Sequence, residues 1–233
     1  MYLSRVRFLP GNTAHNALLA VQRKGSYASH QLLWQLFTEQ QQRNFLFREE
    51  QANGLSGQQG MPEYLVLSQT APILNSELFR VETKLFAPML SVGDKLAFRL
   101  RANPTVSSKT AESTDKRGQR HDVMMHAKKC AQAEGVKDPL IIQQYMEQAA
   151  LNWLLKDERV ARLGIRFDTQ PSVMTYSQHK TSKKAQQPVI SYSTVDYEGV
   201  FTVTEPELLL SQIAHGIGRA KAFGCGLMLL RRV

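Results

Sequence analysis

The order in which predicted strands and helices follow one another constrains the fold of this chain more than any single motif. Tyr2, Val6 and Phe8 are separated by even steps, with Arg5 and Arg7 between them, and this alternation predicts a first strand. Helical patterns cover 26–39 and 73–79, and further strand patterns cover 44–49, 64–69 and 81–86. The resulting order β-α-β-β-α-β is typical of a ferredoxin-like (RRM-like) domain, which has a four-stranded antiparallel sheet and two helices on one face.

The same order returns in the second part of the chain. The strand at 95–101 is followed by a helix at 139–157, where Pro139 suits the first turn and Asp138 can act as the N-cap. Strands at 164–174 and 188–204, a helix at 205–215 and a strand at 226–231 complete the pattern. We therefore predict an α+β protein with two tandem ferredoxin-like domains, residues 1–90 and residues 91–233. Only the order of elements repeats, because no residue repeat is visible.

Two polar segments interrupt this plan. Residues 107–137 are polar and basic, and we expect a solvated, partly disordered connection because such a stretch cannot bury enough apolar surface to order itself. Residues 177–187 join two predicted strands and carry Lys180, Lys183 and Lys184. These lysines could belong to an ordinary solvated turn, or they could contact the phosphates of a nucleic acid.

Charge and cysteine content limit the classes of protein that need to be considered. The chain has 29 Lys and Arg against 20 Asp and Glu, a net charge of +9, which favours a polyanionic partner such as nucleic acid without proving one. No run of about 18 apolar residues is present, so we expect no membrane span. The two cysteines lack a zinc-type spacing, which suggests a cytoplasmic protein without a structural metal.

The stretch GSYASHQLLWQLF, residues 25–37, places Tyr27 and His30 at the start of an amphipathic helix. Residues three apart share a helix face, so the phenol and the imidazole could address one substrate atom together. Ser26 is a plausible N-cap, and the positive end of the helix would then attract a phosphate. Taken alone, such a pair is more often two exposed residues at a helix start.

Two further stretches carry basic side chains or glycines. In FRLRANPT, residues 98–105, strand alternation places Arg99 and Arg101 on one sheet face, either as a charged solvent face, as contacts to an RNA backbone, or as supports for a site. In GIGRAKAFGCGLMLL, residues 216–230, the glycines follow a helix and precede a strand, which is the wrong order for a dinucleotide fingerprint. They could form a structural turn or approach a phosphate closely; the residues concerned are Gly216, Gly218, Arg219, Lys221, Gly224 and Gly226.

Together, MYLSRV, Y-x-x-H-x-x-L-W, FRLRANPT and the C-terminal glycine-rich stretch give the sequence a resemblance to the CasE family of CRISPR repeat endoribonucleases. The resemblance implies two ferredoxin-like domains and a ribonuclease that uses no metal or other cofactor. It further implies binding of a CRISPR repeat hairpin, cleavage at the 3′ base of its stem, and retention of the mature crRNA with the other Cascade subunits. By this resemblance, Tyr27 and His30 are catalytic and residues 216–226 form the RNA-binding glycine-rich loop.

The chemistry implied for this family fits the residue types. The 2′-hydroxyl of RNA can attack the adjacent phosphorus, leaving a 2′,3′-cyclic phosphate and a 5′-hydroxyl. His30 would act as general acid or base, and Tyr27 would position or activate the 2′-hydroxyl because a neutral phenol is a weak base. A lysine or arginine should stabilise the transition state, with Lys180 or Lys183 as candidates. The alternative is a non-catalytic scaffold subunit that only holds RNA.

Overall fold

The computed structural model describes residues 1–37, 42–51, 61–108, 119–181 and 189–233, and its contacts divide the chain into two compact units. The first unit comprises Met1–Met89, Lys180–Ser191 and Ile213–Leu227. The second comprises Leu90–His179, Tyr192–Gln212 and Met228–Val233. The chain leaves the first unit after Met89, close to the predicted boundary between residues 90 and 91. Two later segments of the predicted second domain, however, belong to the first unit. One of them contains the glycine-rich residues 216–226.

A four-stranded antiparallel sheet and two consecutive helices form the framework of the first unit. Its elements are β1 (Tyr2–Phe8), α1 (Asn12–Lys24), α2 (Ser26–Trp34), a 3₁₀ turn (Gln35–Phe37), β2 (Phe45–Gln51), β3 (Pro62–Ser68) and β4 (Phe79–Leu85). The strand order is β2-β3-β1-β4, with every pairing antiparallel. This is the sheet order of a ferredoxin-like domain, as predicted.

The core of the first unit lies on one face of this sheet. Along β1, Val6 and Phe8 are buried, whereas Arg7 lies on the opposite face and pairs with Glu63 at 2.5 Å. This is the alternation that the sequence predicted. From α2 and the 3₁₀ turn after it, Leu33, Leu36 and Phe37 are buried in the core, and Leu32 is partly buried against it.

One helix prediction in the first unit was wrong, and one helix was missed. Helix α1 was not predicted at all, and no helix forms at 73–79. In that segment the Ser76 hydroxyl accepts hydrogen bonds from the amides of Leu78 and Phe79, at 3.2 and 3.1 Å. Serine side chains that bond to nearby amides in this way compete with helical hydrogen bonding. The Ile73 amide meanwhile donates to the Leu36 carbonyl, tying this connection to the 3₁₀ turn.

The second unit contains a second ferredoxin-like sheet. Its elements, with those of the shared C-terminal segment, are β5 (Lys95–Ala102), β6 (Thr105–Ser108), β7 (Gln119–Asp122), α3 (Val123–Ala133), α4 (Pro139–Leu155), α5 (Asp157–Leu163), β8 (Ile165–Arg166), β9 (Ser172–Thr181), β10 (Ile190–Val203), α6 (Pro206–His215), a 3₁₀ turn (Lys221–Phe223) and β11 (Met228–Arg232). The strand order is β11-β5-β10-β8, with β9 paired to β10. Strands β5, β8, β10 and β11 repeat the order seen in the first unit, so the predicted fold class is confirmed.

The segment 107–137 is more ordered than we predicted. Strand β7 pairs with β6, and α3 follows directly. The Asp122 carboxylate caps α3 by accepting from the Met125 amide at 2.9 Å, and Met124 and Ala131 are buried. Cap and apolar face together explain why a sequence that looked too polar to order forms a helix. Residues 109–118 lie outside the described part of the chain.

Helix α4 begins as predicted, with Pro139 in its first turn and Asp138 accepting a hydrogen bond from the Leu140 amide at 2.8 Å. Within the described ranges, no helix combines the length and the apolar character needed to cross a bilayer.

Candidate active site

Helix α2, which carries Tyr27 and His30, begins immediately after α1. Gly25 joins the two helices with φ 61° and ψ −156°, its amide donating to the Val21 carbonyl and its carbonyl accepting from the Ala28 amide. Gly25 is therefore the N-cap, and our assignment of the cap to Ser26 was wrong. A glycine adopts this positive φ at little cost, which a side chain at this position would not.

The continuity of α1 and α2 changes the electrostatics of the site. The C-terminal end of α1, which carries partial negative charge, adjoins the N-terminal end of α2, which carries partial positive charge. These contributions oppose each other, so the helix start attracts a phosphate less than the sequence suggested. Side chains must therefore supply most of the positive charge at this end of α2.

The Tyr27 and His30 rings face each other along α2, as their spacing predicted. Their centroids are 6.5 Å apart and their planes differ by 29°. Both side chains are partly buried. The two rings are therefore close enough for one substrate group to contact both.

His30 lies in an aromatic pocket on the sheet. Its ring stacks on Phe45 at 5.6 Å, meets Trp34 edge-on at 5.5 Å and approaches Phe47 at 6.2 Å. Its Nε2 atom is buried and has no hydrogen-bond partner among the described residues. Burial, and next the positive charge of Arg43, lower the pKa of His30 to about 4. The imidazole is therefore neutral near pH 7.

A buried polar network holds α2 on the sheet, and sequence reasoning missed it. The Ser29 hydroxyl bonds to Glu49 Oε2 at 2.9 Å and lies 3.0 Å from the Tyr64 hydroxyl. Ser29 and Tyr64 are fully buried, and burial raises the pKa of Tyr64, so its phenol stays protonated. The bonds to β2 and β3 fix the rotation of α2 and hence the direction of Tyr27 and His30. The available signal was a serine on the same helix face as Leu33 and Leu36.

The glycine-rich segment lies beside Tyr27. The Phe223 ring is 6.2 Å from the Tyr27 ring, and the turn Lys221–Phe223 packs on α2 and β2. A Cβ atom at Gly216 would stand 2.8 Å from the Leu46 side chain, and one at Gly224 would stand 3.3 Å from the Phe47 ring. Absence of side chains at these two positions thus lets the backbone lie against β2.

The residues of this segment differ in solvent exposure. Gly218 and Arg219 are exposed, whereas Gly226 is buried. Lys221 is half-buried, and its ammonium donates to the His215 carbonyl at the end of α6 at 2.6 Å. Arg219 is therefore the basic residue of the segment most open to a ligand, and Lys221 has a structural hydrogen bond as well.

The two arginines of β5 have carboxylate partners across the sheet. Phe98 and Leu100 are buried, and Arg99 and Arg101 lie on the opposite face as predicted. Arg99 donates to Glu198 at 2.7 Å, and Arg101 forms two bonds to Asp196 at 2.9 and 2.8 Å. Any RNA phosphate would compete with these carboxylates. Contact of the two arginines with RNA stays a prediction.

Of the three hairpin lysines, Lys180 lies exposed in β9. Lys183 and Lys184 lie outside the described residues, so their phosphate contacts also stay predictions.

Arg43 is a candidate site residue that the sequence analysis overlooked. It precedes β2, two residues before Phe45, and its charge acts on His30. The signal was a cation directly before an aromatic-rich strand, RNFLFR at residues 43–48.

The lowered pKa of His30 predicts a pH-dependent stability. Below its ordinary pKa of 6.5 the imidazole is protonated in the unfolded chain but stays neutral in the fold down to about pH 4. Stability from this residue is thus present above pH 6.5 and lost as the pH falls towards 4. Between about pH 7 and pH 5 we expect His30 to account for about 1–2 kcal/mol of that loss, measured by urea unfolding.

His30→Gln should not show this loss of stability between pH 7 and pH 5. His15→Gln, which removes an exposed histidine from α1, should still show it. Equal pH dependence in wild type and His30→Gln would show that His30 titrates normally.

Comparison with known proteins places this geometry in a family. The family model described as "CRISPR associated protein" matches residues 1–232. The chain is 32% identical over 207 residues to the CRISPR system Cascade subunit CasE of Escherichia coli strain K12, covering 88% of this chain and 90% of that protein. It is 29% identical over 235 residues to the CRISPR-associated endoribonuclease Cse3 of Thermus thermophilus, covering 98% of each.

The fold agrees with the same relatives. The crystal structure of the CRISPR-associated protein Cas6e from Escherichia coli K-12 superposes with a TM-score of 0.64 at 26% identity, covering all of both chains. A match along nearly the whole sequence, together with 32% identity to CasE, establishes the relationship that the motifs had suggested. The chain belongs to the CasE family of CRISPR-associated proteins.

Proposed function

We propose that this protein is a CRISPR-repeat endoribonuclease that binds the hairpin of pre-crRNA and cleaves at the 3′ base of its stem. The observation that carries the proposal is the Tyr27–His30 pair, two partly buried rings on one helix face beside the glycine-rich segment. The names of its relatives, a Cascade subunit and a CRISPR-associated endoribonuclease, support the same activity.

In the proposed reaction the RNA supplies its own nucleophile. The 2′-oxygen forms a bond to phosphorus while the bond from phosphorus to the 5′-oxygen breaks. The products are a 2′,3′-cyclic phosphate and a 5′-hydroxyl. Because an internal hydroxyl attacks, the reaction needs no metal-bound water. It needs a group to take the 2′ proton, a group to protonate the leaving oxygen, and positive charge near the phosphate.

His30 fits the proton-transfer role. Its imidazole is neutral near pH 7 because burial lowers its pKa to about 4, so it can accept the 2′ proton. The imidazolium formed in this way can then return the proton to the 5′-oxygen. Negative charge on the bound phosphate favours that imidazolium and partly offsets the cost of burial. Tyr27 positions the ribose through its phenol.

The proposed partners follow from the same activity. The net charge of +9 suits a repeat hairpin and the mature crRNA that the enzyme would keep. Membership of the CasE family supports a place among the other Cascade subunits.

One experiment tests this function. Purified protein is incubated with a synthetic repeat hairpin in EDTA, and the products are separated on a denaturing gel. We expect one discrete shortened RNA ending in a 2′,3′-cyclic phosphate, and no cleavage when the nucleotide at the scission site carries 2′-hydrogen. A 3′-hydroxyl end or a strict requirement for Mg²⁺ would refute the mechanism. Tight binding without cleavage would favour the scaffold alternative.

A further inference from the structure

The residue that meets the phosphate charge can be sought among the cations nearest His30. Phe45 and Phe47 both place their rings against His30 and lie two residues apart on β2. The pairing of β2 with β3 continues one residue beyond β2, because the Gln69 amide donates to the Asn44 carbonyl at 3.1 Å. Arg43, two residues before Phe45, is the next position in this alternation, just outside β2, and it is exposed.

The charges around Arg43 differ from those around most other arginines described here. Arg7, Arg99 and Arg101 each bond to a carboxylate of Glu63, Glu198 or Asp196. Arg43 is exposed, and among the residues that the structure describes no carboxylate pairs with it; nearby protein atoms lower the pKa of its guanidinium by partial desolvation. An accessible guanidinium that no described carboxylate neutralises is open to an anion.

His30 adds a second reason to place an anion at this point. Arg43 disfavours a proton on His30, because two positive groups close together repel each other. A phosphate diester bound between them would remove that repulsion and would favour the imidazolium that forms during proton transfer. An anion close to both groups would therefore stabilise the guanidinium and the imidazolium.

We propose that Arg43 is a further catalytic residue, whose guanidinium binds the non-bridging oxygens of the scissile phosphate and stabilises the charge that develops on them. The assignment rests on the proposed function and replaces Lys180 and Lys183 as the transition-state cation. A planar guanidinium can donate two parallel hydrogen bonds to a phosphate, a geometry that an ammonium cannot reproduce.

The test compares Arg43→Ala, Arg43→Lys and a control, Arg80→Ala, which removes an exposed arginine from β4. Single-turnover cleavage of the repeat hairpin is measured in EDTA, and affinity is measured with a 2′-deoxy hairpin that cannot be cut. For Arg43→Ala we expect cleavage to slow about 10²- to 10³-fold, as for loss of one donor to a developing oxyanion, with affinity changed only a few-fold. Arg43→Lys should be intermediate, and Arg80→Ala should match wild type.

A second measurement separates a chemical role from a structural one. Guanidinium chloride at millimolar concentration, compared with equal NaCl, should partly restore Arg43→Ala and leave Arg43→Lys and wild type unchanged. Full activity of Arg43→Ala beside an active wild type would overturn the assignment, as would losses of affinity and rate of the same size. An inactive wild type would instead refute the proposed function, and the assignment with it.

Discussion

Replacing His30 with alanine should slow cleavage of a repeat hairpin about 10²- to 10⁴-fold, the usual contribution of a general acid–base group. The variant loses the imidazole that would move the proton from the 2′-oxygen to the 5′-oxygen. Its backbone and the Ser29 network that orients α2 are unchanged, so RNA binding should stay within a few-fold of wild type. Single-turnover cleavage in EDTA and affinity for a 2′-deoxy hairpin measure the two effects separately.

The matched control is His15→Ala, which removes an exposed histidine from α1 in the same unit and should cleave normally. Removal of the His30 ring also leaves a gap beside Phe45 and Trp34, so thermal unfolding must be recorded to show that the variant is folded at the assay temperature. Wild-type rates in folded His30→Ala would mean that another group transfers the proton.

The sheets were predictable because their strands show strong local patterns. Alternation in β1 and β5 predicts which side chains are buried. Val6, Phe8, Phe98 and Leu100 are buried, as this pattern predicts. Element order then limits how such strands can pair, and both sheets adopt the predicted order.

The helices were less predictable, because whether a segment becomes helical also depends on side-chain hydrogen bonds and on packing against distant residues. At 73–79 a short apolar pattern suggested a helix, but the Ser76 hydroxyl bonds to the amides of Leu78 and Phe79. Among the α1 side chains that the structure describes, those buried in the core are Ala14, Ala17 and Val21, a weak signal when read alone.

The site could be predicted only where it is local in sequence. Tyr27 and His30 are three residues apart on one helix, so their proximity follows from helix geometry. The charge of Arg43 acts on His30 because of the path of β2, and the glycine-rich segment contacts Tyr27 from far downstream in the chain. Neither interaction follows from the spacing of residues in the sequence. A resemblance to a family could name the glycine-rich loop, but not the strand against which it packs.

Within the glycine-rich segment, Gly226 is a position where an added side chain would meet backbone atoms. Gly226 has φ +94°, and a Cβ atom there would lie 2.9 Å from the Ile217 carbonyl oxygen, which belongs to the backbone. The Gly226 carbonyl also accepts a hydrogen bond from the Ile217 amide at 2.9 Å, which closes the loop containing Phe223. A side chain at 226 must therefore shift the loop that supports Tyr27.

We expect Gly226→Ala to lower the melting temperature by about 2–12 °C, because a strained backbone costs about 1–3 kcal/mol and each kcal/mol shifts Tm by about 2–4 °C in chains of this size. Cleavage by the folded variant should fall up to about 10²-fold, since a displacement of about 1 Å at a catalytic group can have that effect. The control is Gly93→Ala, where φ is +91° but no atom lies within 4 Å of the added Cβ. It should suffer the backbone strain alone and cleave at the wild-type rate. Equal cleavage rates of folded Gly226→Ala and folded Gly93→Ala would show that the approach of Gly226 to Ile217 does not hold Tyr27 in place.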